Sequence, residues 1–213
     1  MKLYDYFRSS AAYRVRIALN LKGVTAERAF VHLRQGVQHG EQYRDCNPHG
    51  LVPALALDDG QVITQSMAII EYLDETHPQP PLLPADAKAR ARVRGIALAI
   101  VADIHPIDNL RVLRYLKSAL HVDDAARDAW YAHWIALGCA ALEKQLSRES
   151  QTGRFCHGER PTLADCCLVP QLANARRAAV DLAPYPTLSR IDAACCALPA
   201  FADAAPARQP DAE

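Results

Sequence analysis

The sequence predicts an α/β half followed by an all-α half, and three observations carry that prediction. Alternating and helical periodicities up to residue 76 follow the order β-α-β-(α)-β-β-α. The stretch from His77 to Pro84 holds four prolines in eight residues, which neither a helix nor a central strand tolerates, so it reads as a stiff linker. Beyond it only alanine-rich segments of helical period are found. The implied organisation is an α/β domain over 1–78, a linker over 79–86 and a helical domain over 87–213.

Each element has its own justification. Residues 2–7 set Leu3, Asp5 and Phe7 against Tyr4 and Tyr6, the alternation of a strand. Val15, Ile17, Ala18, Leu19 and Leu21 follow with helical spacing and end at Gly23, a good left-handed terminator. A second strand over 28–33 leads through a polar loop with Gly36 and Gly40 to Asn47-Pro48-His49-Gly50. Ala54 to Leu57 and Gln61 to Ile63, split by Asp58-Asp59-Gly60, form a hairpin. Ser66 caps a helix that runs to about Thr76.

In the second half the periodic segments span 86–119, 123–147, 162–178 and 187–197. Thr162-Leu163-Ala164-Asp165 has the spacing of a capping box. His105-Pro106 falls inside the apolar fourth helix, where the proline removes a hydrogen bond and bends the axis, presenting His105 and Asn109 on one side. The segment from Ala204, rich in Ala and Pro, is expected to fray.

Composition excludes several classes. Lys plus Arg equals Asp plus Glu at 24 each, so no net field recruits nucleic acid or an anionic membrane, and any anion selectivity is local. Met-Lys-Leu-Tyr-Asp-Tyr lacks the character of a signal peptide, and the longest apolar run, Ile96 to Ala102, is far short of a membrane span. A soluble cytoplasmic protein is expected. Seven cysteines, with vicinal pairs at Cys166-Cys167 and Cys195-Cys196, read as buried apolar residues or loose thiols, and no metal site is expected.

The chemistry-bearing residues stand at helix starts. Ser9 and Ser10 follow the first strand where unpaired helical N–H groups and a positive helix end favour an anion, a thiolate or a carboxylate. Val52-Pro53 and Gln65-Ser66 add two more small anchors, and three anchors separated in sequence ask for one elongated anionic ligand. For each, a bland alternative exists: an ordinary serine cap, or a trans proline ending a loop.

Together with Gly23 and Asn47-Pro48, these anchors resemble the thioredoxin-like half of a glutathione transferase. Ser9-Ser10, an aromatic two residues on and Arg14-Val15-Arg16-Ile17-Ala18-Leu19 resemble the zeta class more narrowly, a class that includes isomerases of maleylacetoacetate and maleylpyruvate. The resemblance runs almost end to end, through Gln65 to Leu73, Asn174 to Arg177 and Tyr185-Pro186. It implies the glutathione transferase fold, glutathione as cofactor, a homodimer and a small dicarboxylate substrate.

It also distributes roles. A self-sufficient thioredoxin-like domain carries Cys-x-x-Cys after its first strand, whereas this chain has Ser9-Ser10-Ala11-Ala12 and must borrow a thiol. Ser9 or Ser10 would stabilise the glutathione thiolate. Val52, ahead of a cis Pro53, would pair with the cysteinyl backbone, Gln65 and Ser66 would hold the γ-glutamyl carboxylate, and Gln38 resembles the residue at the glycine end. The resemblance also covers the cation at Arg177. From the residues themselves, Arg8 and Arg111, the latter this chain's own feature, are expected to join it as cations for a dicarboxylate. His105 and Asn109 are expected to face substrate, against the bland reading of His105 as a satisfied histidine at the inter-domain seam. Arg176 lies about one hundred degrees round the helix from Arg177. Ordinary surface pairs, Arg111 with Asp108 and Arg177 with Asp181, are the bland reading. Ala11 stands where the class commonly has Cys, so a protein thiol there is not essential.

The implied reaction is cis–trans isomerisation. Turning even a partial double bond such as the peptide costs roughly 18–20 kcal/mol, so a C=C bond needs a detour, which reversible thiolate addition provides. Maleylpyruvate is the favoured substrate and maleylacetoacetate the close second. The alternatives are a general glutathione transferase that conjugates or dehalogenates small electrophiles, marked by a wide apolar pocket with few cations, and a non-catalytic module of the same fold, marked by loss of the Ser9 and Gln65-Ser66 anchors.

Overall fold

The computed structural model describes residues 1–213, which form two compact units, Met1–Leu82 with Ala197–Glu213, and Leu83–Cys196. The first contains a four-stranded sheet of order β2-β1-β3-β4, built from β1 Lys2–Asp5, β2 Glu27–Phe30, β3 Ala54–Ala56 and β4 Val62–Thr64. β1 pairs parallel with β2, Lys2 opposite Glu27, and antiparallel with β3, Leu3 opposite Leu55; β3 and β4 form the expected hairpin. The first strand starts at Lys2 as expected but ends at Asp5, short of residue 7, because the chain turns at Tyr6, whose carbonyl accepts from Ser9 N–H at 2.9 Å.

Helix α1, Ser10–Lys22, packs on α3, Ser66–Thr76, and a short α2 covers Glu41–Cys46. Leu3, Val15, Ile17, Leu55, Ile69, Ile70 and Leu73 are fully buried in this unit. A second cluster gathers Tyr6, Phe7, Val31, Tyr43 and Val52, with Tyr4 and Leu33 against it. Gly23 ends α1 at φ 64°, where the left-handed backbone suits a residue without Cβ, and Val24 N–H closes back on Leu19 O at 3.0 Å.

α1 also buries charge. Arg14 and Arg16 are 1% and 2% exposed. Asp5, buried on β1, pairs with Arg16 at 2.8 Å and with Arg28 of β2, so a charged knot crosses β1, α1 and β2. Burial lowers the Arg16 guanidinium to about 10.

The segment after Cys196 differs from expectation. Ala197–Glu213 belongs to the first unit, and the stretch from Ala204 is folded and not frayed. A short helix, Pro199–Ala202, packs on α1. Arg16 Nε donates to Ala204 O at 2.9 Å, Gln209 Nε2 donates to the carbonyls of Asp203 and Ala205, and Arg28 donates to Gln209 Oε1 at 3.1 Å. Alanine and proline content predicts weak helicity, but Arg16 and Arg28 hold the segment from far away in the chain and Gln209 closes it on itself.

The second unit is helical: α4 Ala87–Leu98, α5 His105–Ile107, α6 Leu110–Ser118, α7 Asp124–Leu146, α8 Leu163–Arg177 and α9 Pro186–Cys196. α8 is its most buried helix and packs against α4 and α9. The box at its start forms: Thr162 N–H and Oγ1 donate to Asp165 at 2.7 and 2.8 Å, and Cys156 N–H donates to the other carboxylate oxygen at 2.8 Å. The single helix expected over 86–119 is instead broken. Pro106 lacks an N–H, and the chain widens into a π-helical turn over Ala99–Ile104, ends α5 at Ile107 and restarts at Asn109. Arg111 therefore sits in the first turn of a separate helix, α6.

Cys139, Cys156, Cys166, Cys167 and Cys195 are buried, Cys46 is half-buried and Cys196 is exposed. Burial pushes the Cys139 thiol up to about 11, so it packs as an apolar residue. No helix is long and apolar enough to cross a membrane.

Candidate functional site

In the first unit the site is built at two helix starts. Ser9 caps α1 with extended backbone, φ −69° and ψ 115°, and its Oγ accepts from Ala12 N–H at 3.2 Å. Acting as acceptor there leaves the hydroxyl proton to donate outward. Ser10 is the first helical residue and is buried, so of the two hydroxyls Ser9 is the accessible one. Arg8 is half-buried on the same turn. The turn itself is held from behind: Arg16 Nη2 donates to Phe7 O at 3.1 Å, and Phe7 N–H donates to Asp211 Oδ2 at 2.9 Å.

The second start is α3. Gln65 occupies its cap position and makes no side-chain cap bond, while Ser66 opens the helix as its first residue; the expected serine cap is displaced by one position. Gln65 has φ 72° and ψ 123°, a conformation that costs a non-glycine residue about 1–3 kcal/mol and persists only where its surroundings impose it. Ser66 Oγ accepts from Arg14 Nη1 at 3.3 Å, so a side chain from the second turn of α1 reaches the first residue of α3.

Val52-Pro53 is a cis peptide, and β3 begins at the next residue. Ahead of it Leu51 O accepts from Tyr43 Oη at 2.6 Å and from Asn47 Nδ2 at 2.7 Å. Burial pushes the Tyr43 phenol up to about 12, which keeps it a donor. Gln38 is buried in a 3₁₀ turn, with its amide nitrogen donating to Leu33 O at 3.3 Å and 3.1 Å from His39 Nε2. Its backbone carbonyl abuts Gly50, where a Cβ would meet that oxygen at 3.0 Å. Gln38 thus pins its own loop.

The second unit carries the other named residues. His105 Nε2 and Asn109 Nδ2 lie 3.4 Å apart, and Asn109 Oδ1 accepts from Arg111 N–H at 3.1 Å as the cap of α6. The break at Pro106 brings His105 and Asn109 together. Arg111 itself is exposed. Asp108, between them, is buried with both carboxylate oxygens unpartnered, and burial raises it to about 7.

Arg177 donates to Tyr131 Oη at 2.9 Å and to Asn174 Oδ1 at 2.8 Å, while Asp181 accepts from Ala183 N–H. Arg176 pairs instead with buried Asp192 on α9, which gives it a structural task distinct from that of Arg177. The preceding residue on α7, Trp130, donates to Ile107 O at 3.0 Å. Consecutive α7 residues therefore grip the α5 end and the Arg177 guanidinium.

Sequence reasoning missed the supporting groups. Tyr43, Trp130 and Tyr131 carry no motif signature, and Arg14 and Arg16 entered only as part of the zeta-class resemblance, with no task assigned to them. The available signals were two arginines inside an otherwise apolar helix and one lone aspartate, Asp5, on an alternating strand.

Comparison with known proteins agrees with this geometry. Residues 8–76 match the family model for the glutathione S-transferase N-terminal domain and residues 124–204 that for its C-terminal domain. A maleylpyruvate isomerase of a Ralstonia species is 51% identical over 99% of this chain and 99% of its own. The holo structure of a bacterial zeta-class maleylpyruvate isomerase superposes with a TM-score of 0.97 at 50% identity, with each chain wholly covered. A maleylacetoacetate isomerase of Methylobacterium extorquens AM1, solved with malonate and glutathione, superposes with a TM-score of 0.98 at 42% identity, again over both whole chains.

Proposed function

The chain belongs to the glutathione S-transferase family, in its zeta class, and on that premise we propose that it is a glutathione-dependent cis–trans isomerase of a maleyl oxo acid, acting in the cytoplasm as a homodimer. Maleylpyruvate is the favoured substrate and maleylacetoacetate the second. The observation that carries the reading is the accessible Ser9 hydroxyl at the start of α1, together with the imposed backbone of Gln65 at the start of α3, a helix that Arg14 of α1 reaches at Ser66.

Those residues fit glutathione chemically. The α3 N-terminus with Gln65 and Ser66 suits the γ-glutamyl carboxylate, since free helical N–H groups and the helix dipole favour an anion. Val52, ahead of cis Pro53, offers backbone groups to the peptide. Ser9 donates its proton to sulfur, with the α1 dipole behind it. When bound, glutathione supplies a thiolate whose reversible addition to the alkene makes the double bond temporarily single.

The remaining work belongs to the chain's cations. In the helical unit Arg111 and Arg177 are the cations assigned to substrate carboxylate, and in the first unit Arg8 is the cation on the turn that carries Ser9; a guanidinium suits that task by its planar fork of donors. Tyr131 and Asn174 fix the direction of Arg177 before substrate arrives. His105 and Asn109 present donors to oxygen atoms that gain negative charge as the reaction proceeds.

The test is to supply maleylpyruvate and, separately, maleylacetoacetate, with and without glutathione, and follow loss of the cis isomer. Fumaryl product formed only with glutathione is expected, faster from maleylpyruvate. Accumulation of a stable glutathione conjugate would replace this reading with that of a general transferase.

A further inference from the structure

Resting on that reading of Ser9, we propose that Asp211 is a positioning residue for the turn that presents it. The turn Tyr6–Ser9 is anchored at both polar groups of the Phe7 peptide. Phe7 N–H donates to Asp211 Oδ2 at 2.9 Å, and Phe7 O accepts from Arg16 Nη2 at 3.1 Å. Arg16 is in turn bound by Asp5 at 2.8 Å and by Ala204 O at 2.9 Å, so the second anchor is also tied to the C-terminal segment. Ser9 is two residues from Phe7, and its own N–H closes the turn on Tyr6 O. A shift of the Phe7 peptide moves Ser9 directly.

The groups facing Asp211 come from three places: Arg16 on α1, Arg28 on β2 and Tyr6 in the turn. Glu213, farther along the segment, pairs with His32 and feels Arg8 and Arg34. Gln209, buried, ties the segment to itself through Asp203 and Ala205, which keeps the approach to Asp211 short. Nothing in this arrangement requires a carboxylate merely to anchor a chain end, since Arg28–Gln209 and Arg16–Ala204 already do so. The distinct contribution of Asp211 is an acceptor aimed at Phe7 N–H, midway between the strand and the α1 cap.

The experiment compares Asp211→Ala with Asp211→Asn, which keeps an acceptor oxygen and removes the charge. The readouts are turnover of maleylpyruvate, ultraviolet titration of the bound glutathione thiolate, and thermal melting. Asp211→Ala should lose about tenfold in kcat, as misplaced reacting groups do, with a raised thiolate midpoint. Asp211→Asn should stay within about twofold of the parent on the same grounds. Wild-type kcat and thiolate midpoint in Asp211→Ala would overturn the proposal, and so would an equal loss in both variants, which would assign the effect to charge. Amide exchange of Phe7 in the wild-type protein decides the matter even if the alanine variant does not fold: a protected N–H is expected, and free exchange overturns it. The thiolate titration needs no substrate, so a wild-type protein that ionises glutathione but isomerises neither acid would refute the functional reading and leave this one standing.

Discussion

At the scale of single residues the proposed chemistry rests on one proton donor, Ser9. A hydrogen bond to a charged partner contributes about 1.5–3 kcal/mol, and each pKa unit is about 1.4 kcal/mol, so Ser9→Ala should raise the bound thiol by about one to two units. At neutral pH turnover should fall about 10- to 100-fold on the same conversion, with the deficit shrinking as pH rises and the thiol ionises unaided; a deficit independent of pH would remove Ser9 from that role. Tyr131 acts one step back. Its hydroxyl fixes Arg177 at 2.9 Å, and losing a hydrogen bond worth about 0.5–1.5 kcal/mol in Tyr131→Phe should raise KM for the oxo acid about 2- to 12-fold with KM for glutathione unchanged. Steady-state kinetics with each substrate varied in turn would show it.

Between elements, buried charge sets both strength and pH response. Asp5 joins β1 to Arg16 of α1 and Arg28 of β2, and removing one partner of a buried pair costs about 3–5 kcal/mol because the other is stranded. Asp5→Ala should lower the urea midpoint accordingly. Asp108, at the break between α5 and α6, works in the opposite sense. Burial raises it to about 7, so the folded chain keeps the proton to near neutrality while the unfolded chain releases it near the ordinary value of about 4. The folded state therefore holds more protons between these values, and stability falls as pH climbs through them. Asp108→Asn, neutral throughout, should be more stabilising relative to the parent at pH about 8 than at pH about 5, and a pH-independent difference in urea midpoints would contradict this. The elements themselves were legible wherever their cause is local. Gly23, the Asp58-Asp59-Gly60 turn and the Thr162–Asp165 box all announce themselves within a few residues, and each forms at the expected place. The break near Pro106 was legible as a bend but not as a π-helical turn, because the ring dictates what is lost and the surrounding packing decides how the backbone widens.

For the molecule as a whole, the illegible part is what joins distant residues. Ser9, Val52-Pro53 and Gln65-Ser66 could be named because each sits at a recognisable terminus or proline. The groups that aim them, Arg14 on Ser66 and Asp211 on Phe7, are linked across 52 and 204 positions, and no periodicity encodes such a pairing. Composition actively misled at the C-terminal segment, where alanine and proline suggest fraying but Arg16, Arg28 and Gln209 hold it. Deleting Pro206–Glu213 should therefore lower the melting temperature and increase amide exchange in α1 and at Phe7. An unchanged exchange pattern would show the segment to be dispensable.

The α/β unit is thus assembled from the two extremes of the chain, with Leu83–Cys196 inserted between them. During synthesis on the ribosome its sheet and first helix emerge early but must wait for Ala197–Glu213 before their charged knot is enclosed. A nascent chain halted after the helical unit would carry every residue proposed to face glutathione and yet lack the clasp that holds the Phe7 turn.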